Sequence, residues 1–213
     1  MYNIHPSNQL RDIYSTKPYQ GALPQEALFL FVGLDANYDA QISSKPIFTK
    51  IIEYHSDGIN FWDKYGVHHP FLLSEYSGSG QFYHKSFSRI GFGPQHANLV
   101  SFVELLHVPT VGRNTKIVGS DLDISHLKML NSAILEGQAK YIFVSNSVSK
   151  LMVATGLFHW LVTKPGKTDD PLEILYQRGE KTVYKHLHFS VYGKFQERKI
   201  KEAAFIGSLL HSV

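Results

Sequence analysis

The sequence predicts an α/β fold with three layers, α/β/α, around a central four-stranded, mainly parallel sheet. Three observations carry this reading. Four short apolar runs lack the two-residue alternation of a half-exposed strand, as strands covered on both faces do. Helical periodicities fall between these runs. No internal repeat, low-complexity tract or linker divides the 213 residues, so residues 1–213 read as one domain.

The four strands are residues 27–35 (ALFLFVGLD), 97–103 (ANLVSFV), 140–146 (KYIFVSN) and 183–190 (VYKHLHFS). A helix is expected over residues 46–55, where Ile47, Ile51 and Tyr54 share one face and Pro46 suits the first turn. Residues 82–90 form a second. Residues 125–135 place Leu127, Leu130, Ile134 and Leu135 on one stripe, with Ser125 as N-cap. Residues 147–154 make a short helix that Gly156 ends. The longest covers residues 196–211, charged at first and then apolar at Ala203, Phe205, Ile206, Leu209 and Leu210.

Composition narrows the class. Hydrophobic residues make up 43% of the chain and charged residues 18%, enough for a sizeable core. With no cysteine, disulfides, Cys-ligated zinc and Cys-ligated iron–sulfur clusters are excluded. The polar N-terminus lacks the apolar segment of a secretory signal, and the longest apolar run, residues 27–34, is far below the ~20 residues that span a bilayer. A soluble cytoplasmic protein is expected, with no membrane partner and no obligate protein partner evident. The formal net charge of +3 permits a polyanionic partner without demanding one. Aromatics reach 13% and cluster with His and Gly between Tyr54 and Phe92, a composition suited to stacking on bases and equally to a core.

Open parallel sheets bind ligands beyond the carboxyl ends of their strands. That rule selects residues 35–39, those after Val103, 146–149 and 188–195. Asp35 ends the most apolar strand, where a carboxylate can orient a water or stabilise a developing cation, or simply cap a turn. His188 lies at the end of the last strand and can donate a hydrogen bond to a leaving group that becomes an anion. Ser190 and nearby N–H groups suit a phosphate. Asn98 lies inside the second apolar run, and its amide matches a pyrimidine edge or the backbone. The His68-His69 pair has no acidic partner at metal-ligand spacing, so no metal is expected.

Taken together, an Asp after the first strand, an Asn in the second and a His-x-Ser after the last resemble the uracil-DNA glycosylase superfamily. Residues 33–39 (GLDANYD) look like its first motif, Gly-Gln-Asp-Pro-Tyr or Gly-x-Asn-Pro-Gly. Residues 90–100 (IGFGPQHANLV) look like the Gly-Ile-Gly…Thr-Asn-x-Val segment of the mismatch-specific branch. His188, Ser190 and Tyr192 look like the His, Ser and intercalating Leu of His-Pro-Ser-Pro-Leu. The resemblance covers the chain from about Ala27 onward. It implies a monofunctional DNA glycosylase of base-excision repair, acting by base flipping, with DNA as partner and no cofactor.

On that resemblance Asp35 and His188 are catalytic. Gly33, Leu34, Asn37, Tyr38 and Asn98 contact the base. The segment after the first helix adds Trp62, His68, His69 and Phe71 as walls of the pocket, and the stacking aromatic is one of Phe48, Phe61 or Phe71. Ser147, Ser190, Tyr192 and Lys194 contact DNA. The sequence departs from the family where Ala36 and Phe189 replace both motif prolines and Asn37 stands where the uracil-specific branch has a Tyr that blocks a 5-methyl group. Uracil and 5-modified pyrimidines therefore both stay open as substrates, including hypermodified bases of foreign phage DNA. The same residues also suit a non-catalytic nucleic-acid-binding module or an enzyme of free nucleosides.

Overall fold

The computed structural model describes residues 2–112, 117–161 and 171–212. The chain runs through β1 (Asn3–Ile4), α1 (Asn8–Thr16), β2 (Tyr19–Gly21), β3 (Phe29–Gly33) and β4 (Asn37–Tyr38). Two helices, α2 (Phe48–Ser56) and α3 (Gly58–Tyr65), precede α4 (Gln81–Ser88), β5 (Val100–Glu104) and β6 (Thr110–Val111). Then come α5 (Ile124–Leu135), β7 (Tyr141–Ser145), α6 (Asn146–Ala154), β8 (Glu173–Arg178), β9 (Lys181–His186) and α7 (Gln196–Ser208).

A six-stranded mixed sheet in the order β2-β5-β3-β7-β9-β8 forms the centre. The inner pairs β5–β3, β3–β7 and β7–β9 are parallel, and β2 and β8 add antiparallel edges. Side chains alternate across it as the pleat requires. Leu30, Val32, Val103, Ile142, Val144 and Val183 face Leu127, Leu130 and Ile134 of α5 and Val148 and Met152 of α6. Phe29, Phe31, Phe143 and Tyr184 face Trp62 of α3, Phe87 of α4 and Ala203 and Ile206 of α7. Each such large side chain contributes about 1.5–3 kcal/mol on burial. A third cluster, with Leu10, Ile42, Ile51 and Phe71, joins α1 and α2 to the segment after β3.

The expected α/β class is present, and the sheet has six strands where periodicity indicates four. The edges leave little imprint, because β2 has three residues and β8 (EILYQR) is half polar. The helices α1 and α3 are additions to the expected set; Ser7 and Asp57 cap them through their side chains. The N-cap of α5 is Asp123, not Ser125: its Oδ1 accepts the His126 N–H at 2.7 Å.

Two strand boundaries differ in ways that matter for the site. Residues 97–99 belong to the 3₁₀ turn Pro94–Leu99, which Pro94 opens and His96 Nδ1 secures by accepting the Gly93 N–H at 3.0 Å. The last strand ends at His186, because the next amide, Leu187 N–H, is taken by Glu202 Oε2 of α7 at 2.8 Å.

Helix α7 packs so closely on the turn after α4 that a Cβ at Gly207 would lie 2.5 Å from the Ile90 carbonyl oxygen. Gly→Ala inside a helix ordinarily stabilises by up to ~1 kcal/mol. Here Gly207→Ala is expected to destabilise by about 1–3 kcal/mol, because backbone must move. Thermal unfolding should show a loss of several degrees, at ~2–4 °C per kcal/mol; a raised Tm would contradict this packing.

Candidate active site

A cavity of about 290 Å³ opens at the carboxyl ends of β3 and β5, and its wall includes Asp35, Glu104 and His188. Loops after neighbouring parallel strands converge there, as the topology requires.

Asp35 follows β3 directly. Its Oδ2 accepts the Thr110 hydroxyl and, at 3.3 Å, Asn37 Nδ2. The same Asn37 nitrogen lies 3.0 Å from Thr110 Oγ1 and 2.8 Å from the Gly112 carbonyl. Thr110 is fully buried, and β6 pairs with β4 so that Thr110 stands opposite Asn37. The small sheet β1-β6-β4 thus holds the carboxylate in one orientation. Asn37 lines the cavity, yet its amide N–H groups are engaged with these oxygens and do not serve as free readers of a base substituent.

Glu104 is the last residue of β5 and lies opposite Gly33 in the ladder. Its carboxyl rests over the glycine, where any Cβ would overlap it, so the first motif's Gly33 makes room for a second acid. Burial, and then the Asp35 charge, raise the Glu104 pKa to about 8.

His188 lies two residues beyond β9, not within a strand. Its Nδ1 accepts the Ser190 N–H at 3.2 Å, so the neutral ring carries its proton on Nε2. The ring opens to solvent on one side, but the walls around it desolvate it and lower its pKa; Asp35 opposes the shift and Lys199 adds to it. The loop is fastened to α7. Buried Lys199 donates to the carbonyls of Phe189 and Val191, both at 2.8 Å, and to Ser86 Oγ at 2.9 Å.

The inner wall is aromatic and polar. Buried Tyr38 is hydrogen-bonded to His55 Nε2 at 2.6 Å, and Gln20 Nε2 donates to Tyr14 Oη at 3.1 Å. His69 stacks on His84 at 3.5 Å, and His68 Nε2 lies 3.2 Å from His84 Nδ1. Burial lowers all three imidazole pKa values, that of His84 to about 3, so these histidines are neutral at neutral pH. Among the described residues no group of three or more His, Asp or Glu is placed to hold a metal ion.

Gly33, Leu34, Asp35, Asn37, Tyr38, His68, His69, Phe71, His188 and Ser190 of the expected set meet at this cavity. Others do not. Asn98 is exposed in the turn before β5, at the opposite end of the strand from Asp35, beside Asp57 and Asn60. Phe61 and Trp62 are buried core side chains of α3: Phe61 packs on Tyr54 and Tyr65, Trp62 on His68 and Phe87. Phe48 packs partly buried against the α1–α2 cluster. Of the three candidate stacking aromatics, only Phe71 lines the cavity, with Tyr76 stacked behind it at 4.1 Å. Ser147 is exposed in the first turn of α6, its Oγ 3.2 Å from Ser145 Oγ. Tyr192 is 76% exposed and Lys194 is exposed with Nζ 5.3 Å from the Phe195 ring.

Sequence reasoning missed Glu104, Thr110, Gln20, Tyr83, His84 and Lys199. For Glu104 a signal existed: it ends an apolar strand as Asp35 nearly does, at one of the four places the topology rule selects. Thr110 and Lys199 carried none, since only tertiary packing brings them to the site. The sequence matches no family model and no curated protein.

Glu104 makes stability depend on pH. The folded protein keeps it protonated up to about pH 8, while the unfolded chain ionises it in the ordinary carboxylate range. The unfolded state therefore binds fewer protons across that window, and this group's contribution falls as pH rises through it. Glu104→Gln should raise Tm by at least ~3 °C at pH 8 and change it little at pH 4, at ~2–4 °C per kcal/mol. An equal shift at both pH values would contradict the assignment.

Proposed function

We propose that this chain is a DNA glycosylase with a uracil-DNA glycosylase-like α/β/α domain, acting in the cytoplasm on a uracil-like or 5-modified pyrimidine and leaving an abasic site. The observation that carries the reading is the convergence on one cavity of Asp35, held by Thr110 and Asn37, and His188, held by Ser190. The two residues come from distant parts of the chain, in the order that the family resemblance requires.

The reaction follows from those roles. A nucleotide swings out of the stack at a cost of a few kcal/mol and its base enters the cavity. Phe71 supplies an apolar face for it. As the C1′–N1 bond stretches, positive charge grows on the sugar and negative charge on the base. The Asp35 carboxylate stabilises the first and orients a water; His188 Nε2–H donates to the second. Fixed dipoles and charges act here at no cost of reorganisation, which is why the hydrogen bonds that immobilise Asp35 and the His188 loop matter.

The rim supports a polyanionic partner. Ser190 lines the cavity and is exposed, Tyr192 and Lys194 follow it as exposed residues, and Ser147 is exposed in the first turn of α6. Tyr192 fills the gap left by the flipped nucleotide, and the others contact phosphates. The walls supply the polar groups, so the reaction needs no cofactor. In the described residues no helix is long and apolar enough to cross a membrane.

The test is a panel of duplex and single-stranded oligonucleotides, each with one altered base, scored for abasic sites. Asp35→Ala should cost at least ~100-fold in rate, the scale of one preorganised electrostatic group, with DNA affinity retained. His188→Ala should lower the rate without lowering Tm. Tyr192→Ala should harm duplex cleavage more than single-strand cleavage. Abasic-site formation that survives Asp35→Ala unchanged would refute the mechanism, and DNA binding without any cleavage would favour a non-catalytic binding module.

A further inference from the structure

We propose that Glu104 is a second catalytic residue, an uncharged carboxyl that pairs with a cytosine-type base and delivers its proton to the ring N3 as the glycosidic bond breaks. This deepens the glycosylase reading, rests on it, and narrows the substrate to an aminopyrimidine, with uracil-type bases disfavoured.

The geometry comes first. Glu104 ends β5, and its carboxyl projects over Gly33 into the cavity that Asp35 and His188 share. The groups facing it come from every element packed around it. Asp35 stands at the end of β3, Tyr14 on α1, Tyr38 on β4, Tyr54 on α2 and Tyr83 on α4. His126 of α5 bonds the main-chain carbonyl of Glu104 at 2.7 Å and leaves its carboxyl alone. These neighbours are acids, neutral or negative, and the imidazoles of His68, His69, His84 and His188 in the same cavity wall are held neutral by desolvation. None supplies the cation that would stabilise a second carboxylate, and burial disfavours the charge further. The group is held as an acid in the range where a proton donor is most useful.

The chemistry of the base then decides what that acid is for. A uracil-type base leaves as a stabilised anion, its N3 already carries a proton, and a hydrogen bond from His188 suffices. A cytosine-type base is a poor anion but a fair ring base. Its N3 accepts and its 4-amino group donates side by side, which matches the O–H and C=O of one protonated carboxyl. The C1′–N1 bond breaks with its electron pair going to the ring, and the Glu104 proton moves to N3, so the base departs neutral. A water oxygen bonds to C1′, and its proton passes to Asp35. Glu104 ends as a carboxylate, Asp35 as an acid, and exchange with solvent resets both.

The experiment uses the full chain and four duplexes, carrying 5-methylcytosine, 5-hydroxymethylcytosine, 5-hydroxymethyluracil or uracil at one position, with initial rates from pH 5.5 to 10. The wild type should cleave the cytosine-type bases faster, with that rate falling about tenfold per pH unit above about 8. Glu104→Gln keeps the paired donor and acceptor and has no proton to give. It should lose at least ~100-fold on the cytosine-type bases, at least ~tenfold more than it loses on the uracil-type ones, and show no alkaline fall. Glu104→Asp, which keeps an acid, should be slower but retain the fall; circular dichroism and Tm establish that both variants fold. Cleavage confined to uracil-type bases, equal losses on both classes, or an alkaline fall that persists in Glu104→Gln would overturn the role of Glu104 and leave the glycosylase reading standing. No cleavage of any duplex would overturn both.

Discussion

Two carboxyl groups stand side by side at the ends of adjacent parallel strands, and most of the site can be understood from the cost of putting them there. Asp35 keeps its place through the Thr110 hydroxyl and the Asn37 amide, groups delivered by the small sheet β1-β6-β4. Glu104, with its carboxyl set against Gly33 in the cavity wall, yields instead by holding its proton. Burial and the neighbouring Asp35 charge keep the proton on Glu104. That is the arrangement by which paired acids divide into one that stabilises charge and one that gives up a proton. The arrangement also depends on Gly33, since any side chain there would displace Glu104 from the cavity wall.

The opposite wall is organised by α7. A lysine and a glutamate on that helix are drawn into the protein, Lys199 onto two carbonyls of the His188 loop and Glu202 onto the amide that ends the strand. Removing either would leave buried polar groups unsatisfied, at about 1–3 kcal/mol each. The loop is therefore an extension of the rigid helix rather than a free segment. His188 Nε2 is aimed by backbone geometry, and Asp35 by a separate sheet, so the two side chains are set independently on rigid elements.

The legible part of this architecture is the part written in local pattern. The apolar runs at β3 and β7 and the stripe of α5 appear close to where periodicity puts them, because strands covered on both faces and helices with one buried face leave that imprint. The topology rule then leads to Asp35 and His188, which do share a cavity. Asn98 falls elsewhere because its apolar neighbours Ala97 and Leu99 imitate a strand, while Gly93-Pro94 wind that stretch into a 3₁₀ turn at the far end of β5. Phe61 and Trp62 belong to the core because an aromatic that walls a pocket and one that fills a core look alike in a sequence, and α3 turns both inward. Thr110, Gln20 and Lys199 reach the site through tertiary contacts alone.

The central claim is hydrolysis of a bond between a sugar and a base, and the products test it most directly. Modified DNA incubated with the protein and followed by mass spectrometry should release free base and leave an unbroken strand whose mass corresponds to loss of the base and gain of one water. Asp35→Ala should form both products at least ~100-fold more slowly. Failure of the wild-type protein to release base from any modified or unmodified DNA, or release of base together with strand scission, would contradict the account.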